Sequence, residues 1–290
     1  MIYDIRQTTA CTYASPVAHA RHVLRLTPIN RPGQRVQVSS LQIDPEPVHW
    51  REGQDFFGNR LTWIALDQPH ETLTVKVSAR IAVDKFATPV AAPAWEDVKE
   101  EVLASAEIGP MAPAHFLFPS RMVSLDPEIR DYARQSFPAG RSILEAATEL
   151  TRRIKTDMTY DAGATTVTTT PPMSFALRRG VCQDFAHIMI SGLRGLGLPA
   201  AYVSGYLRTT RPPGAVRLQG ADAMHAWVLV WCGAKTGWVG FDPTNDMIAS
   251  DEHIVLAVGR DYTDVAPMDG VIVAFGGQRI NVAVNVIPVN

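Results

Sequence analysis

Phe185, Ile188, Met189, Ile190, Leu193 and Leu196 are spaced so that a helix running through them is apolar on almost every side. Such a helix cannot lie on a surface and requires a fold that packs other elements around it. Gly195 and Gly197-Leu198-Pro199 end it. It opens on Gly180-Val181-Cys182-Gln183-Asp184-Phe185-Ala186-His187, which sets a lone cysteine in the first helical turn. Unpaired N–H groups and the positive end of the helix dipole there favour a thiolate, the reactive form of the side chain.

The elements that surround this helix divide along the chain. Leu73, Val75, Val77, Ala79, Ile81 and Val83 alternate with polar residues, the pattern of a half-buried strand. Val23–Leu26, Val36–Ile43 and Leu61–Ala65 repeat it more weakly, separated by Arg31-Pro32-Gly33, Gly58-Asn59 and Asp67-Gln68-Pro69. Residues 1–87 therefore read as an antiparallel β-sandwich. The prolines from Pro89 to Pro119 make 88–124 a linker and connecting segment. In a second unit, 125–290, Asp126-Pro127-Glu128 predicts a capped helix start, and Ile143, Leu144, Ala147, Leu150 and Ile154 predict a second helix before the cysteine. Ala201–Leu207, Ala226–Trp231 and Trp238–Phe241 read as strands. The expected class is α+β, with a helical half on an antiparallel sheet. The strands at 271–275 and 280–289 also need sheet partners, so a substantial interface between the units is expected.

The composition narrows the function. A chain of 290 residues with 46% hydrophobic and 19% charged content can bury a sizeable core. Its net charge of −2, on 27 basic and 29 acidic residues with no polybasic run, gives no electrostatic footprint for nucleic acid or an anionic membrane. No apolar run approaches membrane-spanning length, and Met1–Arg6 lacks the start of a signal peptide, which makes the cytoplasm the expected compartment. Cys11, Cys182 and Cys232 form neither a disulfide framework nor a cysteine-rich zinc site. His19 and His22 lack the further ligands of a metal centre.

Cys182 needs a base. His225, in Met224-His225-Ala226-Trp227, lies in a predicted strand that can aim an imidazole at the helix start, and Asp242, at the end of the next strand, can accept the other ring N–H. The backbone N–H of Cys182 is the natural first oxyanion donor, and Tyr160 or a neighbour is a candidate second one. Gln183, Asp184 and Trp227 are placed in support. Each has a plainer reading: Asp-Pro-Thr-Asn is also a common turn, a carboxylate such as Asp184 favours any first helical turn, and His187 lies off the face of Cys182. Cys11 and Cys232 have no basic partner in sequence and are expected to be inert.

These strings together resemble the bacterial transglutaminase-like family, a branch of the papain-like cysteine enzymes. Thr159-Tyr160, Thr165–Thr170, Arg179 to His187, Leu198-Pro199-Ala200, Val203-Ser204-Gly205-Tyr206, His225-Ala226-Trp227 and Asp242-Pro243-Thr244-Asn245 follow its pattern in order, and Asp55-Phe56-Phe57-Gly58-Asn59 resembles its N-terminal region. The resemblance implies a papain-like core over 125–290 and acyl transfer through a Cys182 thioester, with His225 and Asp242 completing a triad. A cysteine peptidase or amidase acting on a peptide, protein or small amide is the first expectation. A transglutaminase with an amine acceptor and a non-catalytic scaffold are the alternatives. No cofactor or metal is called for. A homo-oligomer is compatible with the sequence, and a peptide-ligase-like partner enters by analogy alone.

Overall fold

The computed structural model describes residues 1–85, 89, 91–208 and 223–289. The strands are β1 (Ile2–Val17), β2 (His19–Leu24), β3 (Gln34–Asp44), β4 (His49–Gln54), β5 (Arg60–Leu66), β6 (His70–Val83), β7 (Thr159–Tyr160), β8 (Arg179–Gly180), β9 (Ala200–Leu207), β10 (Ala223–Trp231), β11 (Trp238–Asp242), β12 (Met247–Ile248), β13 (His253–Gly259), β14 (Met268–Val273) and β15 (Gln278–Val289). The helices are α1 (Trp95–Ala104), α2 (Pro127–Arg134), α3 (Ile143–Asp157), α4 (Pro171–Leu177), α5 (Cys182–Gly195) and α6 (Tyr262–Val265).

Two four-stranded antiparallel sheets, ordered β15-β1-β6-β3 and β14-β2-β5-β4, make the sandwich. The alternation in β6 works as read: Leu73, Val75, Val77, Ala79, Ile81 and Val83 are all buried between the sheets, while Lys76, Ser78 and Arg80 face out. A third sheet, ordered β12-β11-β10-β9-β13, carries the second half of the molecule, with α5 laid across it. Ala226, Val228 and Val230 of β10 join the core built around α5, and Trp227 faces a separate small core with Val203. α2 starts where the sequence places it, since Asp126 Oδ1 accepts the Glu128 and Ile129 N–H groups at 2.9 and 3.0 Å.

Two boundaries differ from those the sequence suggests. The segment 88–124 is not a plain linker: Trp95–Ala104 contains no proline, forms α1, and buries Trp95, Val98 and Val102 in the helical core. The stretch beyond it is fixed by the buried guanidinium of Arg194, which donates to the carbonyls of Phe116 and Phe118 and to Ser120 Oγ. The second correction is at the C-terminus. Taken with the 125–290 unit from the sequence, β14 and β15 instead pair with β2 and β1 and complete both sheets of the sandwich. A half-buried strand needs a ladder for its backbone, and the free edges of the sandwich supply it.

The two halves join along β13, which pairs with β9 on one side only. The side chain of Gln34 donates to the Val255 carbonyl and accepts from the Val255 N–H, both at 2.8 Å. Asn59 does the same at Val258, at 2.7 and 2.8 Å. Two amides of the sandwich thus cap an exposed sheet edge. Tyr206, Ile254 and Leu256 of the third sheet then bury themselves in the sandwich core. Asn59→Ala is expected to cost roughly 2–3 kcal/mol in urea unfolding, because two buried backbone groups lose their partners. A fragment beginning at Trp95 should be insoluble or molten when expressed alone, since it exposes those three apolar side chains.

Candidate active site

The start of α5 is built by Asp184. Its Oδ2 accepts the Val181 N–H at 2.8 Å and the Thr165 hydroxyl at 2.7 Å, so the carboxylate folds back over Gly180. A side chain at Gly180 would place its Cβ 2.6 Å from Asp184 Oδ2, which is why that position needs glycine. Burial raises the Asp184 carboxyl pKa against the pull of these hydrogen bonds. The result is a fixed helix start with Cys182 as its first residue, partly exposed and with its N–H free of intrahelical bonding.

His225 faces this thiol. Its ring Nε2 contacts Asp242 Oδ2 at 2.7 Å, which leaves Nδ1 for Cys182, and both residues line one cleft. Burial disfavours a charged ring, but the interactions with Asp242 and Cys182 outweigh it and push the pKa up to about 9. Asp242 is completely buried. Burial alone would raise its pKa, yet hydrogen bonds from His225, His253 and Asn245 and the charge of His225 hold it well below the usual carboxylate range.

Five donors converge on that carboxylate. Oδ2 accepts from His225, from Asn245 Nδ2 at 2.7 Å and from His253 Nε2 at 3.2 Å, while Oδ1 accepts the Thr244 and Asn245 N–H groups at 2.9 and 3.2 Å. The His253 tautomer follows from its other nitrogen: Nδ1 accepts the Ser250 N–H at 3.2 Å, so Nε2 carries the proton. The ligand atoms of His225, Asp242 and His253 lie within 4.8 Å of one another, a spacing a metal ion could bridge. Each is already committed to a hydrogen bond inside the cluster.

The remaining sequence candidates fall around this chain of contacts. Trp227 is buried, stacked beside the His225 ring at 26° and edge-on to His253 with centroids 5.1 Å apart. It crosses β9 at Gly205, where a Cβ would stand 2.5 Å from the indole. Gln183 donates to the Val167 carbonyl at 3.1 Å and so holds the 161–170 loop against α5. Tyr160 pairs in register with Gly180 and is 54% exposed; its hydroxyl pKa is raised by burial and then by the charge of Cys182. His187 is buried away from the thiol, accepts the Tyr262 N–H at 3.2 Å, and is kept neutral by burial with a pKa lowered to about 4. Cys11 and Cys232 are buried, which raises both thiol pKa values, that of Cys232 to about 12.

Residues 3–82 match the bacterial transglutaminase-like N-terminal region, and residues 130–243 match the transglutaminase-like superfamily. A Mycobacterium tuberculosis protein is 36% identical over 295 residues, covering 99% of this chain and 92% of that one. The chain belongs to the transglutaminase-like superfamily. A Mycobacterium leprae relative is 30% identical, with 96% of each chain covered. A protein-glutamine gamma-glutamyltransferase of Pseudomonas aeruginosa is 33% identical over 99 residues, 32% of this chain and 15% of that protein. Among solved structures, a candidate cysteine protease from Cytophaga hutchinsonii superposes with a TM-score of 0.77 at 22% identity, covering 100% of this chain and 92% of that one. That likeness shows a shared fold across both halves.

His253 is the site residue that sequence reasoning passed over. It is the first residue of β13, after the Ser250-Asp251-Glu252 turn and ahead of an apolar run, and a polar residue at a strand start carries little signal. Only the ladder that sets β13 beside β9, and β9 beside β10, brings it to Asp242. Asp242→Ala should lower the His225 pKa from about 9 in the wild type, followed by NMR titration of the ring, because burial is then opposed by Cys182 alone. The linkage has a definite sign. A histidine pKa raised by folding adds stability that is complete below the unfolded value and is lost as pH climbs through about 9. Wild-type stability should therefore fall across that alkaline window, and the Asp242→Ala variant should show a smaller fall.

Proposed function

We propose that the protein is a thiol acyl hydrolase, a cysteine peptidase or amidase, with Cys182 as nucleophile, His225 as acid and base, and Asp242 as the group that orients and stabilises the imidazolium. The observation that carries this reading is a helix-start thiol that shares one cleft with a ring held 2.7 Å from a buried, fully hydrogen-bonded carboxylate. A His225 pKa near 9 favours a thiolate–imidazolium pair at neutral pH. The thiolate attacks an amide carbonyl, forming the C–S bond and an oxyanion. The Cys182 N–H is one donor to that oxyanion, and the Tyr160 hydroxyl is the nominated second. Collapse breaks the C–N bond as the imidazolium gives its proton to the departing amine. Water then attacks the thioester, His225 takes a proton from it, and release of the acid restores the ion pair.

Transfer of the acyl group to an amine instead of water is the second reading, favoured by the similarity to the Pseudomonas aeruginosa glutamyltransferase over 99 residues. It differs only in which nucleophile takes the thioester.

Iodoacetamide at about pH 6.5 should label Cys182 well ahead of Cys11 and Cys232, read by peptide mapping, since only Cys182 combines exposure with a basic partner. Intact-mass screening of an amide and peptide library should show an acyl adduct that Cys182→Ala abolishes. His225→Ala should reduce turnover by about 10²–10⁴-fold, and Asp242→Ala should leave partial activity. Amide turnover should decline as pH rises through about 9, where the imidazolium loses its proton, while Cys182 alkylation should not. Absence of any adduct with amides, esters and peptides, with the three variants altering only partner binding, would replace the enzyme with a scaffold.

A further inference from the structure

The thiol of Cys182 opens into a cleft of 630 Å³, and much of its wall comes from the other half of the molecule. Gln7 and Thr9 of β1 and Ile280, Val282 and Val284 of β15 line it. Their register explains this. Cys11 pairs with Ile280, Thr9 with Val282 and Gln7 with Val284, and cross-strand partners share a face, so one strip of the sandwich surface stands opposite the thiol. The second sandwich sheet adds Met268 of β14, and the third sheet adds Met224 beside His225. Three other cavities, of 560, 620 and 720 Å³, have neither cysteine nor histidine among their described lining residues.

The chemistry of this wall is uneven. Its polar floor is satisfied internally: Gln7 Oε1 accepts the Tyr206 hydroxyl at 2.6 Å, and Gln7 Nε2 donates to Thr9 Oγ1 at 3.0 Å. Ile280 and Val282, by contrast, are 47% and 48% exposed although β-branched and in contact with the cleft. Apolar surface left open beside a nucleophile gains by being covered, and two methionines can adjust to whatever covers it. Among the described lining residues the only ionisable group beyond thiol and phenols is His225, whose ring is already engaged by Cys182 and Asp242. A charged substituent entering here would lose water and meet no free partner among the described lining residues.

We propose that β1, β14 and β15 of the sandwich are the substrate-selecting wall of the Cys182 cleft, and that the acyl donor places an uncharged, apolar group against Met268, Ile280 and Val282. The proposal rests on the reading of Cys182 as nucleophile and names the substrate class for that site. The sandwich is then a part of the active site as well as its support.

The test is alkylation of the full-length protein by two matched probes, N-hexyl chloroacetamide and N-(5-carboxypentyl) chloroacetamide, with rates read by intact mass and normalised to glutathione. Cys182 should react about tenfold or more faster with the hexyl probe. Val282→Lys and Ile280→Lys, on an exposed strand edge, should collapse or reverse that preference. Val282→Ser and Ile280→Ser should reduce it without adding charge, and they replace the lysine variants if circular dichroism shows those to be misfolded. A normalised wild-type ratio within threefold of unity would overturn the proposal, as would variants that keep the wild-type ratio. Labelling of Cys182 by either probe no faster than of Cys11 and Cys232 is a different result, which removes the nucleophile and the proposal with it.

Discussion

Everything at the site depends on keeping one carboxylate ionised where no water reaches it. An isolated Asp242 at that depth would take up a proton, and His225 would then lose the interaction that raises its pKa. Five hydrogen bonds prevent this, two from the backbone of the turn that follows β11 and three from side chains. The turn therefore does two jobs. Thr244 and Asn245 reverse the chain and in the same stroke satisfy Oδ1, which is why Asp-Pro-Thr-Asn serves both as a turn and as a carboxylate cradle. With so many donors sharing its charge, the carboxylate is a poor base, and the proton between it and His225 stays on the ring.

The same dependence ties the two halves of the molecule together. His253 reaches Asp242 only because β13 lies at a fixed register on β9, and β13 is the strand whose free edge the sandwich caps through Gln34 and Asn59. Removing the sandwich would expose two backbone pairs and the side chains of Ile254 and Leu256 on the element that positions one of the five donors, and Tyr206 on β9 beside it. Stability of the interface and geometry of the site are thus carried by one strand. The coupling is mechanical and local: His253, Val255 and Val258 lie within six residues of one another along β13.

How much of this was legible in the sequence follows the strength of each periodic signal. The α5 helix and β6 were readable because burial is uniform along one pattern in each. Motif and spacing named Cys182, His225 and Asp242 as candidates, and the structure brings His225 within 2.7 Å of Asp242 and sets Cys182 in the same cleft as His225. β1 was not read as a strand, although it is 16 residues long, because its buried parity is Tyr3, Ile5, Gln7, Thr9, Cys11 and Tyr13. Gln7 and Thr9 break the apolar pattern at the two positions where the strand floors the cleft, so the site itself erased the signal. β14 and β15 were legible as strands but not as members of the sandwich, since long-range pairing leaves no local trace. α1 was hidden by the prolines on either side of it.

The residues matched to the superfamily core end at 243, and those matched to the N-terminal region end at 82. Cys182, His225 and Asp242 fall inside the first span, whereas Asn245, His253, Met268, Ile280 and Val282 fall outside both. The candidate thiol, ring and carboxylate therefore sit on the shared core, while four of the five carboxylate donors and most of the apolar cleft wall come from the 47 residues after 243. Such a division follows from the physics of each part. A thiol, a ring and a carboxylate must meet within tenths of an ångström on packed strands and a buried helix. A wall that selects among acyl groups needs only the right shape and polarity, and an edge strand such as β15, bonded along one side, can change its exposed side chains without disturbing the ladder that holds it. Differences in substrate between proteins built on this core are then expected to lie in the strands that return to the sandwich rather than in the triad.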